Sequence, residues 1–138
     1  FRRSTNHQSL LPARVMTTAI LLIAHGSRLE SANRDLDWLA NSLTQRRPDD
    51  KVRTAYLEIA EPDIQTAGTQ CVEQGATRVL LVPFFLSPGR HATKPLAEHR
   101  DRLADRFPDV HWELKPPLGR HDMLVQVIED RVDGPGVD

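Results

Sequence analysis

The chain has 138 residues, the length of a single domain, and its 18 lysines and arginines nearly balance 19 aspartates and glutamates for a net charge of −1. This balance excludes the strongly basic surface that gathers nucleic acid or binds anionic membranes, so we expect neither partner. The only cysteine, Cys71, excludes an internal disulfide and a thiolate metal cage, and it favours a reducing compartment. We therefore expect a cytoplasmic protein, since no apolar run comes close to the ~20 residues of a membrane helix.

The N-terminal segment is basic and contains no acidic residue, which is faintly similar to an export or transit sequence. The apolar run that follows it, Ala19–Ala24, is only six residues long and stops at His25, so it fits a buried strand better than a signal core. We predict that residues 1–15 are a poorly ordered extension, that 16–132 form the domain and that 133–138 are a flexible tail.

Two strand–helix units open the domain. The apolar run Thr18–Ala24 predicts the first strand, and it breaks where a glycine allows a sharp turn and a serine can cap a helix. Apolar residues every three or four positions then predict a helix from Leu29 until Pro48 stops it. Val52–Leu57 is the second predicted strand, and Pro62 is predicted at the first position of the second helix.

The second half of the domain begins with the continuous apolar run Val79–Val82. This run predicts a central parallel strand covered on both faces, and a loop rich in proline and glycine leads from it to His91. Thr93 and Pro95 are the predicted cap and first position of the third helix. A fourth strand and a last helix are predicted at Val110–Leu114 and Met123–Val132.

Strand and helix thus alternate four times with short connections. Short, right-handed connections between such elements favour an α/β fold, a three-layer sandwich around a four-stranded parallel sheet. In such sheets the ligand site lies beyond the carboxyl ends of the strands. Residues that follow the strands are therefore the first candidates for a functional site.

Three polar residues follow three consecutive predicted strands: His25, Glu58 and His91. They are separated by 33 residues in each case (58 − 25 and 91 − 58), which reflects a regular unit length, and their shared position lets the side chains converge on one rim. Two imidazoles and a carboxylate with open coordination positions suit an exchangeable divalent metal. A histidine in a loop can also be an ordinary surface residue, and Glu58 can instead favour the start of the next helix by charge.

Four motifs in order resemble one protein family. They are LLIAHGSR followed by Ala32 and Asn33, AYLEIAEP at Ala55–Pro62, VPFFLSPGRH at Val82–His91 and PPLGRH at Pro116–His121. Together they resemble the sirohydrochlorin chelatases, the small single-domain class II chelatases, over about Thr18–Val132. The resemblance implies a chelatase-like fold.

The resemblance also implies an activity, that of a lyase which inserts a divalent metal into sirohydrochlorin or a related tetrapyrrole without nucleotide hydrolysis. In that family the residues matching His25 and His91 are catalytic, binding metal and accepting pyrrole protons, and the residue matching Glu58 completes the metal site. The implied reaction uses no organic cofactor and takes Co²⁺, Fe²⁺ or Ni²⁺ as a substrate. Short members of the family resemble half of the two-domain chelatases, so we expect a homodimer.

The implied tetrapyrrole substrate carries several carboxylates and a flat ring. Basic side chains of the same rim are candidate carboxylate partners, and arginine is suited to bidentate pairing. An aromatic residue of the rim can form an apolar wall beside a flat ligand, although core packing is the alternative role. The predicted substrate-binding residues are Ser27, Arg28, Phe85, Arg90, Lys94 and Arg120. Each of the four basic residues taken singly could equally be a solvated loop charge.

One departure from the family pattern is Lys94-Pro95-Leu96, which stands where the family usually has an acid followed by an aliphatic residue and proline. The exchange makes the rim more basic and prompts an alternative, a non-catalytic metal or tetrapyrrole carrier with the same fold. A third possibility is an α/β hydrolase or phosphatase that uses His25. The sequence contains neither a G-x-S-x-G elbow nor a glycine-rich phosphate loop to support it.

Overall fold

The computed structural model describes residues 15–87 and 89–138. The predicted N-terminal extension lies, apart from Val15, outside the described residues. The elements in chain order are β1 (Thr18–Ala24), α1 (Glu30–Arg46), β2 (Lys51–Tyr56), α2 (Ile64–Glu73), β3 (Arg78–Pro83), α3 (Arg90–Arg106), β4 (His111–Leu114) and α4 (Asp122–Asp133). Within these ranges no helix has both the length and the apolar content to cross a bilayer.

The four strands form one parallel sheet in the order β2-β1-β3-β4. The two central strands end together with their neighbours, because Ala24 of β1 is in register with Tyr56 of β2 and Ile23 with Pro83 of β3. Their carboxyl ends therefore form one edge of the sheet. This confirms the predicted four-stranded parallel sheet and places the ends of β1, β2 and β3 side by side.

Two hydrophobic cores lie on opposite faces of the sheet, because successive side chains of β1 point to opposite sides. Leu21 and Ile23 pack with residues of α2 and α3, and both are fully buried. Ile20 and Leu22 pack with residues of α1 on the other face. Burying one such side chain stabilises the fold by roughly 1.5–3 kcal/mol. The three predicted layers, α1, the sheet, and α2 with α3, are confirmed.

The strand β3 differs from its predicted environment. Val79 and Leu81 are fully buried, but Leu80 and Val82 on the α1 face are only half-buried. The prediction of full cover on both faces is wrong for that side. The reason is that α1 packs over β1 and β2, while α4, the helix that follows β4, buries no residue.

Two helix starts differ from the sequence prediction. The helix α3 begins at Arg90, so Pro95 lies inside it instead of at its first position. The first turn forms ahead of the proline because the N–H groups of Ala92 and Thr93 both donate to the carbonyl of Gly89, at 3.1 Å. Pro95 lacks the N–H that would donate to the His91 carbonyl, and its ring crowds that carbonyl, which is the cost of a proline inside a helix.

The start of α2 is set by Asp63, not by Pro62. The side chain of Asp63 accepts a hydrogen bond from the N–H of Thr66 at 2.7 Å, which is an N-cap. The backbone and side-chain hydrogen bonds from Thr66 lower the pKa of the Asp63 carboxyl. The predicted start at Pro62 is therefore two residues too early.

Candidate metal and substrate site

The site is built where β1 and β2 end. Their hydrogen-bond ladder continues past the strands, since Leu57 N–H donates to the Ala24 carbonyl at 2.9 Å and Glu58 N–H donates to the His25 carbonyl at 3.0 Å. This pairing sets the two side chains next to each other. His25 Nε2 lies 2.8 Å from Glu58 Oε1. The side chains remain 56% and 58% exposed, so the pair is open to a ligand from solvent.

Gly26 is required by the close approach of the two strand-end loops. It has φ +108°, a conformation that glycine adopts without steric cost. A β-carbon at this position would overlap the carbonyl oxygen of Glu58. The absence of a side chain at Gly26 therefore allows His25 and Glu58 to lie side by side.

The backbone after Glu58 is strained. Ile59 has φ +73°, which is unusual for a β-branched residue, and Ala60 N–H donates to the Glu58 carbonyl at 2.8 Å across it. This tight turn directs the Glu58 carbonyl toward Gly26. A left-handed conformation of this kind costs of order 1–3 kcal/mol and persists where the surrounding structure imposes it.

Asn33 of α1 holds the loop that carries His25. Its side-chain oxygen accepts from the N–H of Ser27 at 3.1 Å, and its side-chain nitrogen donates to the Ser27 carbonyl at 2.8 Å. The hydroxyl of Tyr56 in turn donates to the Asn33 carbonyl at 3.1 Å. Burial, and then the charge of Asp37, raises the pKa of Tyr56, which keeps this hydroxyl protonated as a donor. Asn33 links the end of β2 to the loop after β1.

Sequence reasoning gave Asn33 no role. It appeared only as part of a motif, because its contact with Ser27 spans the loop and the first turn of α1. The signal for it in the sequence is its place in the motif, five residues after Arg28 and fourth in α1.

Phe85, a predicted substrate-binding residue, contacts the pair from the end of β3. Its ring lies edge-on to the imidazole of His25, with 6.4 Å between ring centroids and 65° between planes. It is half-buried and also packs against the core on the α2 and α3 face, which is the packing role considered for it; its contact with a flat ligand stays a prediction. The loop after β4 closes behind it, since Leu118 N–H donates to the Phe85 carbonyl at 2.9 Å.

His91 is separate from the pair. It is the second residue of α3 and is exposed. Over 15–87 and 89–138, no three histidine, cysteine, aspartate or glutamate side chains are grouped closely enough to hold a metal ion. The structure thus brings together His25 and Glu58 of the predicted trio and leaves His91 outside that group.

The predicted substrate-binding residues differ in their surroundings. Ser27 and Arg28 line an open cavity of about 820 Å³ that also includes Arg34 and Ile59. Lys94 and Arg120 are exposed, and the side chain of Arg90 lies outside the part of the chain that is described. A larger cavity of about 1010 Å³ runs along β2 from Lys51, and neither cavity is lined by His25 or Glu58, so cavity size does not locate the site.

The chemistry available at this edge follows from the pair. A neutral imidazole nitrogen and a carboxylate oxygen are both ligands for first-row divalent metals, and two protein ligands leave several coordination positions open. The same groups can accept protons. The aromatic ring of Phe85 offers an apolar surface beside them.

The comparisons with known proteins agree on one family. A family model described as CbiX matches residues 19–134. The chain is 35% identical over 113 residues to the chloroplastic sirohydrochlorin ferrochelatase of Arabidopsis thaliana, a match that covers 82% of this chain and 50% of that protein. It is 29% identical to the sirohydrochlorin cobaltochelatase of Methanocaldococcus jannaschii, over 84% of this chain and 98% of that protein.

A solved structure has the same fold. The sirohydrochlorin chelatase SirB from Bacillus subtilis subspecies spizizenii, in complex with cobalt, matches with a TM-score of 0.78 and 30% identity, covering 85% of this chain and 50% of that chain. The chain thus spans about half the length of the plant and Bacillus relatives it matches. As the motifs around His25, Glu58 and His91 predicted, the chain belongs to the CbiX family, within the sirohydrochlorin chelatases.

Proposed function

We propose that this chain inserts Co²⁺ or Fe²⁺ into sirohydrochlorin without nucleotide hydrolysis and without an organic cofactor. The observation that carries the proposal is the 2.8 Å pair of His25 Nε2 and Glu58 Oε1 at the open edge of the sheet, beside the ring of Phe85. Membership of the CbiX family supports it, as do relatives named as sirohydrochlorin ferrochelatases and cobaltochelatases.

The pair is close to the geometry a cation needs. Two ligand atoms that each lie about 2.1 Å from a divalent ion, at right angles to one another, are about 3 Å apart. Binding therefore needs His25 Nε2 without a proton and a shift of a few tenths of an ångström from the observed separation. His25 supplies the imidazole nitrogen and Glu58 supplies charge that offsets the cation. Ni²⁺ is also a proposed substrate, because an imidazole and a carboxylate in general bind it at least as tightly as Co²⁺ or Fe²⁺.

Transfer to the macrocycle forms bonds from the metal to the ring nitrogens and releases two pyrrole N–H protons. Glu58 and His25 regain proton-accepting capacity as the cation leaves them. His91, exposed on the first turn of α3, is the proposed second imidazole for metal and protons; this role rests on the family resemblance.

The carboxylates of the substrate need cationic partners around the pair. Arg28 and Arg34 line the cavity of about 820 Å³, as do three acidic residues, and arginine pairs carboxylates through two parallel hydrogen bonds. Lys94, Arg90 and Arg120 are proposed to extend this basic rim. Phe85 is proposed to contact the flat ring.

Two further parts of the proposal concern the location of the protein and its oligomeric state. We place the protein in the cytoplasm, because its single thiol, Cys71, is buried and unpaired. We also propose that it acts as a homodimer, with the substrate tetrapyrrole and the metal ion as its other partners.

The direct test is anaerobic mixing of the purified chain with sirohydrochlorin and Co²⁺ or Fe²⁺. The proposal expects the absorbance change of metallation to exceed the spontaneous rate, and His25→Ala to reduce it toward that rate while circular dichroism stays unchanged. If the folded chain gives only the spontaneous rate with every metal, chelatase activity is rejected.

A second candidate function is a carrier that binds metal or tetrapyrrole without turnover. Lys94, exposed one turn after His91 where the family usually has an acid, favours it. Stoichiometric binding of Co²⁺ or sirohydrochlorin, with no rate above the spontaneous one, distinguishes the carrier from the enzyme.

A further inference from the structure

Ile59 is an exposed apolar residue beside the proposed metal site. It follows Glu58 directly in the chain, and it is 60% exposed. Its neighbours pack inside the protein, since Leu57 contacts the core on the α2 and α3 face and Ala60 contacts the core on the α1 face. Among the described residues, Ile59 belongs to neither core. Packing within the fold therefore does not explain an isoleucine at this position.

The backbone conformation makes an isoleucine costly here. Its φ of +73° lies in the left-handed region, which glycine and asparagine adopt more readily than a β-branched residue. Hydrogen bonds on both sides impose this conformation: Glu58 N–H donates to the His25 carbonyl at 3.0 Å, and Tyr56 N–H donates to the Pro62 carbonyl at 2.9 Å. A glycine would hold the same turn with less strain. What the isoleucine adds is an apolar surface that faces solvent.

Ile59 and Phe85 follow strands on opposite sides of β1. The strand order places β1 between β2 and β3, and His25, Ile59 and Phe85 each come within three residues of the end of their strand. Neighbouring strands are about 4.8 Å apart, so the ends of β2 and β3 are about 10 Å apart across β1. A flat tetrapyrrole ring has a comparable width. One such ring over the pair of His25 and Glu58 can therefore reach apolar surface on both sides.

Other side chains at this edge fit the same ligand. Leu29 and Leu86, in the loops after β1 and β3, are also exposed apolar residues. Ile59 lines the cavity of about 820 Å³ together with Arg28, Arg34 and three acidic residues. Exposed apolar residues next to arginines suit a ligand with a flat apolar ring and carboxylates at its periphery. The proposed substrate is such a ligand.

We propose that Ile59 contacts the flat ring of the tetrapyrrole beside Glu58 and contributes to the affinity for it. The left-handed backbone holds the apolar side chain at the surface, where a bound ring covers it. This contact rests on the proposed function, because it takes sirohydrochlorin as the ligand. It is separate from metal binding, since the Glu58 carboxylate, and not Ile59, is the proposed contact of the cation.

Binding of sirohydrochlorin to the full chain without metal, followed by absorbance, tests the contact. Ile59→Asn keeps a left-handed backbone and removes the apolar surface. Covering the exposed 60% of an isoleucine is in general worth roughly 5- to 20-fold in affinity, so we expect the Kd to rise by about that factor. Ile59→Leu retains an apolar side chain of the same size and is expected to bind within about 3-fold of the wild type.

Two further measurements separate contact with the ring from a role in folding or in the metal site. The urea midpoint of Ile59→Asn is expected to be no lower than that of the wild type, because asparagine relieves the strain at this position. Co²⁺ affinity, measured without tetrapyrrole, is expected to stay within about 3-fold of the wild type. The matched control Val137→Asn replaces another exposed β-branched residue, in the C-terminal tail, and is expected to change neither sirohydrochlorin binding nor Co²⁺ binding.

Unchanged sirohydrochlorin binding in Ile59→Asn overturns the proposal. Weaker binding that comes with a lower urea midpoint or a loss of Co²⁺ affinity also overturns it, because Ile59 would then act through the fold or through Glu58. A wild-type chain that does not bind sirohydrochlorin overturns it as well.

The contact and the chelatase activity can fail separately. A chain that binds sirohydrochlorin through Ile59 but does not accelerate metallation rejects the proposed function and keeps the contact. An active chain whose affinity for sirohydrochlorin does not depend on Ile59 rejects the contact and keeps the function.

Discussion

Gly26 and Glu58 meet through their backbones: a β-carbon on Gly26 would overlap the Glu58 carbonyl oxygen. This contact joins the loops after β1 and β2, which carry the two groups of the proposed metal site. The proposed activity therefore depends on a residue that has no functional group of its own.

Gly26→Ala is expected to damage both stability and metal binding. The positive φ costs an alanine about 1–2 kcal/mol, and the overlap with Glu58 adds about 1–3 kcal/mol as the loops separate. Gly75→Ala is the matched control, since Gly75 has φ +94° but open space around its β-carbon position. Urea unfolding and Co²⁺ titration measure the two effects. Equal losses of Co²⁺ affinity in both variants would contradict the role of the contact.

Removal of the carboxylate separates metal binding from folding. Glu58→Gln keeps a hydrogen-bonding side chain but removes the charge, so we expect Co²⁺ affinity to fall by at least about 10-fold. The exposed pair contributes at most about 1 kcal/mol to stability, so the unfolding midpoint should change little. Isothermal titration with Co²⁺ and thermal unfolding measure these quantities.

A second histidine–glutamate pair provides the control. His111 Nε2 lies 3.3 Å from Glu113 Oε1 at the start of β4, away from the carboxyl edge. Glu113→Gln should leave Co²⁺ affinity unchanged.

The double variant His25→Ala/Glu58→Ala should lose about as much Co²⁺ affinity as either single variant, because the two side chains act as one site. Full additivity would speak against a shared cation.

Asn33→Ala tests the support of the His25 loop. The change removes two hydrogen bonds to Ser27, each worth about 1 kcal/mol in general, and lets the loop move relative to Glu58. We expect kcat/KM to fall about 10-fold or more, mainly through kcat, while the exposed Asn41→Ala in the same helix has no effect. Steady-state metallation rates measure the split; unchanged kcat would leave Asn33 a purely structural residue.

The packing of α3 on α2 should make stability depend on pH. Burial first, and then the charge of Arg102, lowers the pKa of His99, and Gln65 Nε2 lies 3.1 Å from its Nδ1. His99 therefore binds a proton more readily in the unfolded chain than in the folded chain. The free energy of unfolding is at its full value above about pH 6.5 and falls as the pH drops below it. Urea unfolding at about pH 7.5 and about pH 5.5 measures the difference.

His99→Gln should flatten that pH dependence, because glutamine does not titrate in this range. The charge of Asp63 also acts on His99, but Asp63 loses its own contribution to stability only below about pH 3.9. It therefore does not affect the comparison between about pH 7.5 and about pH 5.5. An identical slope in the wild type and in His99→Gln would show that the effect comes from other groups.

The sequence predicted that His25, Glu58 and His91 converge, and the structure brings together only His25 and Glu58. His25 directly follows β1 and Glu58 is the second residue after β2, so the position of each strand end fixes the side chain. His91 comes eight residues after Pro83, the end of β3, and after the start of α3. The rule that strand ends share an edge does not fix a side chain across a loop of that length.

The same distinction applies to the fold, because the sequence predicted the elements but not every surface that they cover. The sequence predicted a last helix at Met123–Val132, and the structure has α4 at Asp122–Asp133. It could not predict that α4 buries no residue in the part of the chain that the structure describes, because the course of the helix depends on the loop at Gly119 and Arg120. Likewise, the continuous apolar run of β3 predicted cover on both faces. Such a run does not show which helix covers each face, and α1 packs over β1 and β2.

Anomalous diffraction from crystals of the chain soaked with Co²⁺ shows directly whether His25 and Glu58 bind the cation. A single strong cobalt peak about 2.1 Å from both His25 Nε2 and Glu58 Oε1 is the predicted result. A saturated cobalt site elsewhere, such as the His111–Glu113 pair, with no density at His25 and Glu58, would contradict the account.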